Sequence, residues 1–127
     1  MKSTDQRPQA PQVLLVDDEE EFATVMAKRL GKRGFQVATA HSGSEAVRLA
    51  RGQDFEVAVV DLKMEGMDGV ETLKTLKVML PGIKVIMLTG HGSAEMARQC
   101  LALGAFDYLN KPCELADLVA KINSALA

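Results

Sequence analysis

Val57-Ala58-Val59-Val60-Asp61 decides the fold: four apolar residues run without a break and stop on a carboxylate. Two more runs stop on polar residues. Val13-Leu14-Leu15-Val16 stops on Asp17-Asp18, and Val85-Ile86-Met87-Leu88 stops on Thr89-Gly90. A shorter segment, Phe106 to Asn110, stops on Lys111-Pro112. Buried strands of a parallel sheet read as continuous apolar runs, and open α/β sheets bind ligands beyond the carboxyl ends of their strands. Four such ends deliver three carboxylates, a hydroxyl and an ammonium to one place. Three carboxylates together repel unless a cation joins them. The set suits a divalent metal and a phosphoryl group.

Working outward, strand and helix patterns alternate five times. Strands are predicted near 13–16, 36–40, 57–61, 84–88 and 106–109, and helices near 19–33, 43–51, 69–80, 93–103 and 114–126. This alternation implies βαβ units, an α/β fold and a parallel sheet. Asp18 with Glu21, Ser42 with Glu45, and Asp68 with Glu71 have capping-box spacing. Gly34, Gly52 and Gly104 fall where helices should end, and Pro81-Gly82 stops another. Phe22, Met26 and Leu30 form an apolar stripe, as do Val70, Leu73, Leu76 and Leu80, and Leu115, Leu118, Val119, Ile122 and Leu126. Such stripes are core faces. Gln36 to Ala40 is the weakest strand and is expected at an edge.

With 127 residues the chain forms one domain with a real core. Residues 1–11 are polar, with Pro8 and Pro11, and read as a flexible tail; the domain spans 12–127. A net charge of −2 without a basic block excludes nucleic-acid binding by this domain alone. No apolar run approaches a membrane span, and Met1 to Gln12 has no secretory core. Cys100 and Cys113 lack metal or redox spacing and read as reduced thiols of a cytoplasmic protein. His41 and His91 lack ligand-spaced partners and are expected on exposed loops.

An acidic pair alone is a weak signal, because one Asp often caps the next helix. The specificity lies in the joint spacing of acidic pair, Asp, Thr and Lys-Pro, each at a strand end. In VLLVDDEEEF (13–22), VVDLKMEGMDGVE (59–71), VIMLTGHGS (85–93) and GAFDYLNKP (104–112) the chain resembles the receiver domains of two-component response regulators. The resemblance covers residues 12–127. It implies a doubly wound (βα)5 fold, flavodoxin-like and CheY-like, with strand order 2-1-3-4-5.

The resemblance also implies roles. Asp61 is the phosphoacceptor, taking a phosphoryl group from a sensor histidine kinase or a histidine phosphotransfer protein. Asp17, Asp18 and Asp61, with the backbone carbonyl of Lys63, hold Mg²⁺; Asp18 is the more direct ligand and Asp17 acts through water. Thr89, Gly90 and Lys111 bind phosphoryl oxygens. Thr89 and Tyr108 form the switch, although an ordinary half-buried strand aromatic is an equal reading of Tyr108. Lys63 and His91 flank the path of an attacking water. Neither orients water well, so slow loss of the phosphoryl group is expected. Many receivers have Met-Pro where this chain has Met64-Glu65, a change that removes no assigned ligand. The surface of the fourth and fifth helices and the last strand is the expected output face. Its few charges imply a monomer, or at most a weak homodimer on phosphorylation.

The physics agrees with these roles. Phosphoryl transfer is catalysed mainly by positioning and charge stabilisation, which a Mg²⁺ ion, an ammonium and a hydroxyl around one carboxylate supply. Two other functions compete. A Mg²⁺-dependent aspartyl-nucleophile phosphohydrolase usually has a second Asp two residues past the nucleophile, where this chain has Lys63. A flavin or nucleotide carrier of the same fold class needs a phosphate-cradling loop after the first strand; Asp17 to Glu21 is five acids in a row there.

Overall fold

The computed structural model describes residues 10–64, 66–90 and 94–127. The expectations for residues 1–9 of the tail, Glu65 and His91 lie outside the described residues. Ten elements alternate: β1 (Gln12–Val16), α1 (Glu20–Lys32), β2 (Gln36–Ala40), α2 (Gly43–Gly52), β3 (Val57–Asp61), α3 (Gly69–Met79), β4 (Lys84–Thr89), α4 (Ala94–Ala102), β5 (Asp107–Asn110) and α5 (Leu115–Leu126). The strands form one parallel sheet in the order β2-β1-β3-β4-β5. The α/β architecture and the strand order are those expected from the sequence, and β2 is an edge strand.

Successive side chains along a strand point to opposite faces, and this parity divides the core in two. Val13, Leu15, Val57, Val59, Ile86 and Leu88 pack against Ala23, Met26 and Leu30 of α1 and Leu118 and Ile122 of α5. Leu14, Val16, Ala58, Val60, Val85 and Met87 face the other way, onto Ala46, Leu73, Leu76 and Cys100 of α2, α3 and α4. Both faces of the central strands are covered, which is why their runs are apolar without alternation.

Two of the three predicted caps form. The Ser42 hydroxyl accepts the Glu45 N–H at 3.1 Å, and the Asp68 carboxylate accepts the Glu71 N–H at 2.9 Å. The N-cap position of α1 is Glu19, one residue past Asp18, and the Glu19 side chain makes no cap bond. Instead Asp17 Oδ1 accepts the Glu19 N–H at 2.9 Å and turns the chain into the helix. Both cysteine thiols are free. Among the described residues no helix is long and apolar enough to cross a membrane.

Candidate phosphoacceptor site

Asp61 is the last residue of β3 and continues the parity of Val57 and Val59, toward the α1/α5 face. Asp17, one residue past β1, continues the parity of Val13 and Leu15, and Lys111, one past β5, that of Leu109. The three therefore converge on one side of the sheet's carboxyl edge. Asp17 is fully buried and Asp61 nearly so. Lys111 Nζ lies 3.0 Å from Asp17 Oδ2 and 3.8 Å from Asp61 Oδ2. It also meets Glu19 Oε1 at 2.5 Å and sits 4.5 Å from the centre of the Phe22 ring. The Lys111–Pro112 peptide bond is cis.

Burial, then the charge of Asp17, pushes the Asp61 carboxyl up to about 6, and Asp18 adds to this. Lys111 and a hydrogen bond from the Lys63 backbone pull it the other way. Burial disfavours the Lys111 ammonium, but its bonds to Glu19 and Asp17 prevail and raise its pKa. The same bond holds Glu19 below the usual carboxylate range.

Asp17, Glu19 and Asp61 each offer a carboxylate oxygen, all within 4.8 Å of one another. Hard oxygen donors clustered so closely suit Mg²⁺ or Ca²⁺, so this donor set fits a divalent cation. Asp18 is exposed and lines, with Glu19, Asp61, Lys63, Gly90 and Lys111, a cavity of about 350 Å³ over the site. Glu19 had no assigned role from sequence. Its only signal was membership of the acidic run 17–21, which does not say which acid turns inward.

Thr89 ends β4 with the opposite parity, that of Val85 and Met87. It is fully buried, and its hydroxyl donates to Asn110 Oδ1 at 2.8 Å. Tyr108 shares that face, half-buried against the α2–α4 core. Thr89 and Tyr108 thus lie together on one face, with Asp17, Asp61 and Lys111 on the other. His41 is half-buried, not on an exposed loop. Its Nδ1 approaches the Asp17 carbonyl at 3.3 Å, and its N–H donates to Glu45 Oε1 at 2.7 Å. Closure of β2 onto β1, through the Asp17 N–H on the Ala40 carbonyl at 2.9 Å, brings it there.

A doubly wound parallel sheet whose carboxyl edge joins buried acids to one lysine defines the class: a flavodoxin-like fold with a candidate cation and phosphoryl site at that edge. The chain belongs to the response regulator receiver domain family, whose model matches residues 13–123. It is 39% identical over 115 residues to the transcriptional regulatory protein ZraR of Escherichia coli K12, covering 91% of this chain and 26% of that protein. It is 36% identical over 114 residues to the photosynthetic apparatus regulatory protein RegA of Rhodovulum sulfidophilum, covering 90% of this chain and 62% of that one. The chain thus spans only part of these relatives. A receiver domain protein from Clostridium thermocellum superposes with a TM-score of 0.88 at 34% identity, over 91% of this chain and 94% of that one. A Burkholderia pseudomallei response regulator, solved with a phosphorylated aspartic acid, calcium ion and citrate, superposes with a TM-score of 0.83 at 33% identity, over 91% of this chain and 69% of that one.

Proposed function

We propose that Asp61 accepts a phosphoryl group from a sensor histidine kinase or a histidine phosphotransfer protein in the cytoplasm. The observation that carries this is the buried Asp61 carboxylate, flanked by a second buried acid and within 3.8 Å of an ammonium. An Asp61 oxygen bonds to phosphorus as the phosphorus–nitrogen bond to the donor imidazole breaks, and the electron pair leaves with the imidazole. With acetyl phosphate the bond broken is phosphorus–oxygen, and acetate leaves. The chain promotes this step itself. Asp17, Asp18, Asp61 and the Lys63 carbonyl would hold Mg²⁺, which would supply charge neutralisation for the phosphoryl oxygens. Lys111 binds one of these oxygens as a point charge, and Thr89 and the Gly90 backbone bind others. Thr89 must first leave Asn110, which couples phosphorylation to the face carrying Tyr108.

Incubation with acetyl phosphate, with Mg²⁺ or with EDTA, followed by intact-mass measurement, tests this. One phosphoryl adduct is expected, dependent on Mg²⁺ and absent from Asp61→Asn. An adduct that survives the substitution or forms equally well in EDTA would refute the assignment.

A further inference from the structure

The Lys111 ammonium has three N–H donors and faces three carboxylates, but not at equal distances. Its Nζ lies 2.5 Å from Glu19 and 3.0 Å from Asp17, but 3.8 Å from Asp61. The first two are lengths of charge-assisted hydrogen bonds; the third is an ion-pair separation only. The two bonded partners differ in freedom. The Asp17 side chain is fully buried and cannot withdraw, whereas that of Glu19 is 65% exposed. Glu19 is also held by its backbone, whose N–H bonds to Asp17 Oδ1 at the head of α1. Its side chain therefore reaches Lys111 from a fixed base.

We infer that Glu19 is a positioning residue that parks the Lys111 ammonium toward the β1–α1 turn, holding it back from a phosphoryl group at Asp61. The role rests on the reading of Asp61 as the acceptor. Glu19 and Asp17 take two of the three ammonium donors and hold Nζ 3.8 Å from Asp61, so Glu19 and the phosphoryl oxygens compete for the position of one cation. Glu19 bonds to Lys111, and its carboxylate also lies within 4.8 Å of those of Asp17 and Asp61; a metal-ligand role for Glu19 gives the opposite result, slower phosphorylation in Glu19→Gln. Simple repulsion between the acidic run and an anionic donor gives a different pattern, because removing any nearby carboxylate then speeds the reaction. Parking requires that the effect be specific to Glu19 and pass through Lys111.

The experiment follows phosphorylation by acetyl phosphate and Mg²⁺ through intact mass in wild type, Glu19→Gln, Glu20→Gln, Lys111→Met and the Glu19→Gln/Lys111→Met double variant. Glu19→Gln is expected to speed the reaction about two- to fivefold, the scale of a largely exposed ion pair. Glu20→Gln, which removes the same charge one residue further on, stays near the wild-type rate. In the Lys111→Met background, Glu19→Gln changes nothing. Urea unfolding of the wild type, both single variants and the double variant reads the contact without any phosphorylation, as a non-zero coupling. Equal acceleration by Glu20→Gln, the same gain without Lys111, a slower Glu19→Gln or a coupling of zero overturns the role of Glu19. A wild type that takes no phosphoryl group on Asp61 instead overturns the acceptor reading, and this role with it.

Discussion

Asp61 holds a charge where the fold disfavours one. Burial and Asp17 raise its pKa to about 6, against about 3.9 in an unfolded chain. An acid whose pKa is higher in the folded state binds its proton more tightly there, so ionisation opposes folding. The cost is absent below both values, grows between about pH 4 and 6, and is fully present above. Asp61→Asn removes the charge and keeps the shape. It is expected to stabilise the metal-free protein by about 1–3 kcal/mol at pH 7.5, with a gain that shrinks toward pH 5. Urea unfolding in EDTA at both pH values checks this; a difference that ignores pH contradicts the cause. Lys63 is exposed beside Asp61 on the cavity wall, and we propose that it bears on the lifetime of the phosphoryl group. Lys63→Asn offers a group that can orient water, so faster decay of the phosphoprotein is expected by intact mass. An unchanged decay excludes this position from setting the lifetime.

At the scale of elements, the site depends on how closely α3 approaches the end of β3. A Cβ added at Gly69 would come within 2.5 Å of the Asp61 carbonyl and 2.6 Å of Leu62 Cα. Both are backbone atoms and cannot swing aside. Gly69→Ala is therefore expected to cost about 1–3 kcal/mol as overpacking and to slow phosphorylation by displacing Asp61. Ser42→Ala loses only the cap on the Glu45 N–H. It is expected to cost about 1 kcal/mol and to leave the phosphorylation rate near wild type. Melting curves and acetyl phosphate time courses on both variants separate the two effects. If Gly69→Ala melts like wild type, α3 does not press on β3 in this way.

At the scale of the molecule, four charges of the α4–β5–α5 face are paired within the chain. Lys121 Nζ lies 2.5 Å from Asp107 Oδ2, joining α5 to β5, and Arg98 lies 2.8 Å from Glu95 along α4. Little charge is left to cross-pair with a second copy, and exposed pairs contribute little in any case. Met96, Leu101, Leu103 and Phe106 are the larger apolar groups exposed at α4 and the turn after it. A monomer is expected without phosphorylation, and at most a weak dimer with beryllofluoride, which mimics the phosphoryl group. Light scattering measures both, and a tight dimer in the unactivated protein contradicts the charge argument. Amide shifts on beryllofluoride addition are expected to spread from the site through Thr89 and Tyr108 into residues 94–126. Shifts confined to the site rule out the Thr89–Tyr108 coupling.

By itself the sequence determined the five strands, the sheet class, two helix caps, and the arrival of Asp17, Asp61 and Lys111 at one edge. Each of these follows from local periodicity or spacing: an uninterrupted apolar run, a Ser or Asp three residues before a Glu, a polar stop after a strand. Tertiary structure decided what those residues touch. It turned Asp17 inward and Asp18 outward, brought Glu19 onto Lys111 and His41 against the Asp17 carbonyl, and set the Thr89 hydroxyl on Asn110. Strand parity carries a side chain's direction at most one residue past the strand, as at Asp17 and Lys111. Further on, direction is set by partners far away in the chain, and Glu19 and Lys111 stand 92 residues apart. No local pattern spans that distance; the packing of α1 and β5 against the same sheet edge does.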